Sequence, residues 1–149
     1  MAGRFFDEWR LGDRIEHELR RTVTETDNLL FSTMTHNPQP LHLDAEAAKA
    51  SEFGRILVNG TFTFSLMIGI SVGDTTLGTL IANLGYDKTV MPNPVFIGDT
   101  LRAETEIVEL RESRSRPDAG IVTFRHVMRN QRDQDVCSCL RMALLKKRP

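Results

Sequence analysis

The 149-residue sequence contains few of the features that mark secreted, redox-active or metal-binding proteins. It has only two cysteines, Cys137 and Cys139, and their i, i+2 spacing in a strand-like segment fits disulfide geometry poorly. We interpret them as a reduced structural pair, because the surrounding sequence offers too few further ligands for a metal site. They also lack a neighbouring base, which argues against a cysteine nucleophile.

Neither sign of charge dominates the chain, whose net charge is −1. This balance provides no electrostatic basis for binding nucleic acid or an anionic membrane. The N-terminal residues contain no apolar signal core, and no later run approaches the length of a membrane span. We therefore expect a cytoplasmic protein. Its 40% hydrophobic and 26% charged residues are typical of a globular chain.

A chain of this length can bury one hydrophobic core, so we predict a single domain over residues 1–149. Its aromatic N-terminal arm, with Phe6 and Trp9, should pack on the domain or on a partner. A strand is predicted over residues 15–23. A helix over 25–35 should follow the capping-box spacing of Thr24 and Asp27, with Leu29, Leu30 and Met34 at helical intervals.

The most apolar run, residues 61–72, predicts a helix that is buried on nearly all sides and ends at Gly73-Asp74. Strands are predicted over residues 80–90, 100–111, 121–129 and 135–146, a polar loop over 112–119 and a frayed tail over 146–149. One central helix and these strands predict an α+β fold in which an antiparallel sheet wraps around the helix. Such a sheet leaves an exposed edge strand, which predicts a homodimer or a higher homo-oligomer with its ligand sites near the interface.

The segment from Asn37 to Gly60 holds the candidate chemistry. Pro38 and Pro40 exclude a helix interior or a central strand, so we predict a rigid, irregular turn carrying His42. Asp44 should cap a short helix over residues 45–51. The residues alone leave two readings open, a catalytic histidine in this turn or one that merely caps it.

Three segments, in order, resemble the MaoC-like (R)-specific enoyl-CoA hydratases, which have the hotdog fold. The family motif Asp-x-Asn-Pro-aliphatic-His-x-Asp matches residues 37–44, with Asn37 in place of the catalytic Asp and Gln39 in place of the Asn. Val-His-Gly matches residues 58–60, and Pro-Val-Phe-x-Gly-Asp is intact at residues 94–99. Residues 3–6 and 22–28 further resemble a mesaconyl-CoA and itaconyl-CoA hydratase branch.

This resemblance implies reversible hydration of an α,β-unsaturated acyl-CoA to a 3-hydroxyacyl-CoA, with a short or dicarboxylic acyl chain. It implies that His42 activates water and that Gly60 and Thr61 offer backbone N–H groups to the oxyanion. Gln39 and Asn59 would complete the substrate site. Asn37 cannot be a general base, because a neutral amide does not accept a proton, so it would orient water or substrate. No cofactor is implied beyond the CoA of the substrate.

Two other functions remain open from the sequence. Because Asn37 replaces the catalytic Asp of the family, the chain could be a protein that binds an acyl-CoA with impaired turnover. A hotdog thioesterase would use an acid on or near the central helix, and residues 61–72 contain none.

Two arginines in the polar loop, Arg114 and Arg116, are candidates for the CoA phosphates, against the alternative of a solvated loop. Of the other histidines, His17 and His36 are predicted to lie at the surface. His126, on an apolar strand face, is predicted to be a hydrogen-bonded core residue.

Overall fold

A computed structural model describes residues 3–149, so Met1 and Ala2 of the predicted domain lie outside the described residues. The chain forms a five-stranded sheet of antiparallel pairs in the order β1-β3-β4-β5-β2. β1 and β2 are therefore the two edge strands. The strand bounds, close to those predicted, are Arg14–Thr22 for β1, Leu80–Val90 for β2, Thr100–Glu112 for β3, Ala119–Arg129 for β4 and Asp135–Lys146 for β5.

The helices also follow the sequence closely, with α1 at Glu25–Met34, α2 at Pro40–Leu43, α3 at Ala45–Ala50 and α4 at Gly60–Thr75. The predicted capping box begins α1, since Thr24 Oγ1 accepts a hydrogen bond from the Asp27 N–H and Asp27 accepts one from the Thr24 N–H. Asp44 caps α3 as predicted. The prediction of an irregular turn was only partly right, because Pro40 begins the one-turn helix α2. A proline is tolerated at the first position of a helix, where the N–H that it lacks would have no partner within the helix.

Helix α4 packs on one face of the sheet and contacts β1, β3, β4 and β5, which confirms the α+β class. It continues through Gly73 and Asp74, where the sequence predicted its end. The Asp74 carboxylate lies 2.7 Å from the ring of the buried His17 of β1, and the first left-handed residue after the helix is Gly78. None of the described helices is long and apolar enough to cross a membrane.

The prediction that α4 is buried on nearly all sides was wrong. Only one stripe of the helix is buried against the sheet, and it includes Met67 and Ile70. Phe62, Phe64, Leu66 and Ile68 remain half-buried, because a single sheet covers one side of a helix. The chain itself covers this second side only in part, through edge contacts of Phe31 with Phe62 and of Tyr86 with Phe64.

The N-terminal arm packs into a second core cluster on the same sheet face. Phe6 and Trp9 are buried there, and Gly120 of β4 makes room, since a Cβ at Gly120 would lie 2.4 Å from the Phe6 ring. The prediction of a frayed tail over residues 146–149 was wrong. The Arg148 N–H donates to Asp7 at 2.9 Å and its guanidinium pairs with Glu8, so arm and tail hold each other on the surface.

Candidate active site

The predicted site segment begins where α1 ends. The His36 N–H donates to the Thr33 carbonyl at 3.1 Å and the Asn37 N–H donates to the Ser32 carbonyl at 2.9 Å, which is the Schellman pattern. His36, with a φ of 56°, provides the left-handed turn, and its side chain is exposed as predicted. The position of the Asn37 backbone is therefore set by the end of α1.

The Asn37 side chain forms an Asx turn, because its Oδ1 accepts a hydrogen bond from the Gln39 N–H at 3.1 Å. In the described part of the chain no hydrogen bond uses its NH₂ group, which is available as a donor. Asn37 is half-buried, and Gln39 is exposed. The turn leads directly into Pro40, the first residue of α2.

Helix α2 carries His42, and its ring is held in a defined tautomer. Its Nδ1 lies 2.7 Å from the Leu57 carbonyl oxygen, which can only accept, so Nδ1 carries the proton. Nε2 then has the free lone pair that a general base needs. The His42 carbonyl accepts a hydrogen bond from Asn28 at 2.9 Å, so both the ring and the backbone of this residue are held.

The N-terminus of α4 is capped by the buried side chain of Asn59. Its Oδ1 accepts from the Thr61 N–H at 3.0 Å and from the Thr61 hydroxyl at 2.6 Å. The Thr61 N–H, a predicted oxyanion donor, is thus occupied by the cap. The Gly60 N–H makes no hydrogen bond within the described chain, so it is the better-placed donor of the two predicted.

Two buried residues of α1 that sequence reasoning missed connect these groups. Asn28 donates to the His42 carbonyl and accepts from the Asn59 N–H at 2.9 Å. Ser32 accepts from the Asn59 side chain at 3.3 Å, while its carbonyl holds Asn37. Asn28 and Ser32 are four residues apart, so they lie on the same side of α1, and this polar pair was the signal available in the sequence.

A cavity of about 390 Å³ opens beside the first turn of α4. Gly60 and Thr63 line it from the helix, and its other walls are largely apolar, formed by side chains that include Phe53, Leu57, Val58, Met91, Val95 and Val136. Of the predicted site residues, only Gly60 lies in this wall. His42 reaches the wall through its bond to the Leu57 carbonyl, and Pro94 and Val95 of the third motif form part of it.

The two loop arginines lie far from this cavity within one chain. The loop that carries Arg114 and Arg116 is joined to the end of β5, where the Lys147 N–H donates to the Asp118 carbonyl. Val136 of the cavity and Lys146 are ten residues apart on β5, about 33 Å at the rise of a strand. Arg116 pairs with Asp118, whose carboxylate raises the pKa of the guanidinium, and both arginines are exposed.

The histidines away from the site differ from one another in their surroundings. His17, predicted to lie at the surface, is buried between Asp74 and the Thr105 hydroxyl, each at 2.7 Å, so this prediction was wrong. His126 is buried as predicted, with its Nδ1 2.8 Å from the Thr105 hydroxyl. Its Nε2, however, has no partner among the described residues, so the prediction of full hydrogen bonding was only half right.

The two cysteines are free and buried, as the interpretation of a reduced pair requires. Burial raises the pKa of Cys137 to about 11 and that of Cys139 to about 12, which keeps both as inert thiols. Among the described residues, no group of three or more His, Cys, Asp or Glu side chains is placed to hold a metal ion.

Several known proteins are similar to this chain. A mesaconyl-CoA hydratase of Cereibacter sphaeroides is 36% identical over 147 residues, which are 99% of this chain and 42% of that protein. A β-methylmalyl-CoA dehydratase of Chloroflexus aurantiacus is 31% identical over 146 residues, 98% of this chain and 41% of that protein. The chain thus spans about two fifths of the length of these relatives.

A solved structure from Mycobacterium tuberculosis, described as a double hotdog fold, superposes with a TM-score of 0.89 at 24% identity. The match covers 99% of this chain and 45% of that one, which confirms the predicted hotdog fold. The family model of the MaoC-like domain matches residues 7–129, and that range includes the whole of the site segment. The chain therefore belongs to the MaoC-like domain family.

Proposed function

We propose that this protein catalyses the reversible hydration of an α,β-unsaturated acyl-CoA thioester to a 3-hydroxyacyl-CoA. The observation that carries the proposal is the state of His42, whose Nδ1 donates to the Leu57 carbonyl and whose Nε2 is left as a base. Asn28 connects this histidine to the N-terminus of α4, since it donates to the His42 carbonyl and accepts from the Asn59 N–H. The names of the two relatives, a hydratase and a dehydratase of acyl-CoA thioesters, support the same chemistry.

In the proposed reaction, His42 Nε2 takes a proton from water as the water oxygen attacks the β-carbon. Negative charge then develops on the thioester oxygen, and the Gly60 N–H and the positive end of the α4 dipole stabilise it. His42 returns the proton to the α-carbon. Asn37 uses its NH₂ group to orient water or substrate, and it takes no proton.

We infer a short acyl chain, with mesaconyl-CoA or itaconyl-CoA as the dicarboxylic candidates. The limited cavity beside α4 and the substrates named in the two relatives support this choice. The reaction needs no cofactor beyond the CoA of the substrate. We keep the proposal that the protein is cytoplasmic. We also keep the proposal that Arg114 or Arg116 contacts the CoA phosphates, but because both lie far from the cavity of their own chain, this contact requires the site of a second copy. CoA-binding measurements on a double alanine variant would test it.

We also propose that the protein is a homodimer. The edge strand β2 exposes Leu84, Tyr86 and Val90, and the side of α4 that faces away from the sheet is only half covered. A second copy paired along β2 would bury both surfaces. The Mycobacterium tuberculosis protein, which has two hotdogs in one chain, offers a precedent for such a pair.

Two other functions make different predictions. An acyl-CoA-binding protein without turnover is favoured by one observation, the amide at Asn37. The thioesterase alternative requires an acid on or near α4. The predicted helix contained none, but the observed helix is longer and includes one, Asp74. It lies fourteen residues from Gly60, about 21 Å along the axis, and is engaged by His17, so it is remote from the cavity.

The decisive measurement is turnover of crotonyl-CoA and mesaconyl-CoA beside binding of the same thioesters. We expect hydration, with kcat falling by a factor on the order of 10²–10⁴ in a folded His42→Ala variant. His36→Asn is the matched control, because His36 is exposed and asparagine tolerates its left-handed backbone. Binding without hydration would support the binding protein, and release of free CoA would support the thioesterase.

A further inference from the structure

Thr63, one turn into α4, has a buried hydroxyl without a partner. The residue is 1% exposed, and its Oγ1 makes no hydrogen bond among the described residues. Other buried hydroxyls of the same helix bond to a carbonyl of the preceding turn, Ser71 to Ile68 at 2.7 Å and Thr75 to Ser71 at 2.6 Å. This is the usual solution for such residues in a helix, and Thr63 does not adopt it.

The place of this hydroxyl suggests what would satisfy it. Thr63 lines the cavity together with Gly60, next to the positive end of the α4 dipole. Among the described residues, no aspartate or glutamate lines the cavity, so no carboxylate side chain in its wall repels an anion. A hydroxyl beside a helix N-terminus is a suitable donor for a carboxylate.

We propose that Thr63 is a specificity-determining residue, which donates its hydroxyl hydrogen bond to the distal carboxylate of a dicarboxylic acyl chain. This inference rests on the proposed function and goes beyond it, because it names a side chain outside the family motifs that takes part in the choice of acyl chain. A buried hydroxyl without a partner weakens the unliganded state, and a bound carboxylate removes that penalty. An acyl chain that ends in methyl leaves the hydroxyl unpaired, so the site distinguishes the two.

Binding of unreactive thioesters tests the inference without requiring turnover. Succinyl-CoA and butyryl-CoA both have four-carbon acyl chains, but the succinyl chain ends in a carboxylate and the butyryl chain ends in a methyl group. We expect Thr63→Val, which replaces the hydroxyl with a methyl group, to raise the Kd for succinyl-CoA about tenfold, the typical effect of one hydrogen bond to a charged group. The Kd for butyryl-CoA should change less than twofold, and Thr63→Ser, which keeps the hydroxyl, should retain the preference.

A matched control exists elsewhere in the chain. Thr79 is also buried with an unpartnered Oγ1, but it lies after α4 and outside the cavity wall. Thr79→Val should leave both dissociation constants unchanged, while the thermal midpoints of both valine variants stay at or above that of the wild type, since each removes an unsatisfied hydroxyl.

Two results would overturn the assignment. An equal loss for both thioesters in Thr63→Val would mean that the hydroxyl acts on the shared thioester end, and an unchanged Kd for succinyl-CoA would mean that it contacts no carboxylate. Absence of hydration by the wild type would count against the proposed function alone, because the two dissociation constants are measured on ligands that do not react.

Discussion

At the scale of single residues, His126 shows what burial does to a titratable group. It lies in the core of β4, stacked on Phe124 with ring centroids 5.7 Å apart. Burial, followed by the nearby Arg141 and His17, lowers the pKa of His126 to about 3. Arg141 is itself fully buried, with Asn83 and Thr76 as its hydrogen-bond partners, so two basic side chains share this region.

We expect His126 to make the fold sensitive to acid. In the unfolded chain a histidine has a pKa near 6.5, so between that pH and about 3 only the unfolded state binds the proton. The free energy of unfolding should therefore decrease as the pH is lowered through this window, by about 2 kcal/mol between pH 6.5 and pH 5. Urea unfolding at several pH values should show a flatter dependence for His126→Asn. Equal dependence in variant and wild type would contradict the assignment.

The exchange at Asn37 is the other question that belongs to one residue. An aspartate there could still accept the Gln39 N–H, so Asn37→Asp should preserve the Asx turn and the fold. It would add a negative charge that repels a substrate carboxylate nearby. We expect kcat/KM for mesaconyl-CoA to fall relative to that for crotonyl-CoA. A constant ratio, or one that moves toward mesaconyl-CoA, would favour impaired catalysis in the natural chain instead.

At the scale of elements, α1 faces the opposite way from what its apolar residues suggest. Leu29, Leu30 and Met34 have the helical spacing of a core face, yet they are exposed, Met34 to 75%. Asn28 and Ser32 are buried instead, because only polar side chains can satisfy the carbonyl of His42 and the cap of α4. The helix thus gives up apolar burial in favour of positioning the site.

Replacing Asn28 should therefore affect both stability and catalysis. Asn28→Ala leaves the Asn59 N–H and the His42 carbonyl unpaired, and we expect a loss of about 2 kcal/mol in the free energy of unfolding. kcat should fall about tenfold or more as His42 loses its backbone support. Thr33→Ala, on the exposed side of α1, is the control and should change stability by less than about 0.5 kcal/mol. Unaltered kcat in Asn28→Ala would remove its positioning role.

At the scale of the whole molecule, the two edges of the sheet differ in what they expose. β1 has Leu19 at 60% exposure among charged neighbours, whereas β2 exposes a row of apolar side chains that includes Leu84 at 51%. An edge strand with exposed apolar residues is prone to pair with another chain. The proposed dimer uses the β2 edge for this reason.

Sedimentation at micromolar concentration should therefore find dimers. Leu84→Lys places a charge in the proposed interface and should shift the population toward monomer. Leu19→Lys, a matched change on the opposite edge, should leave the dimer intact. Monomers in the wild type, or equal effects of the two variants, would exclude pairing along β2.

Much of this fold is determined by local sequence. The strict alternation of β3, with Leu101, Ala103 and Ile107 buried, specifies a half-buried strand whatever its neighbours are. The capping box at Thr24 and the proline at the start of α2 act through the adjacent residues alone. The family motifs likewise lie in short continuous segments, so they could be found without knowing any contact.

What only the tertiary structure decided depends on groups that are distant along the chain. The burial of His17 requires Thr105 and Asp74, and the role of Asn28 requires His42 and Asn59, all far from it in sequence. The unpartnered hydroxyl of Thr63 is likewise visible only once the cavity walls are assembled. Hydrogen bonds and burial depend on three-dimensional proximity, so periodicity along the chain could place these residues on elements but could not say what each would face.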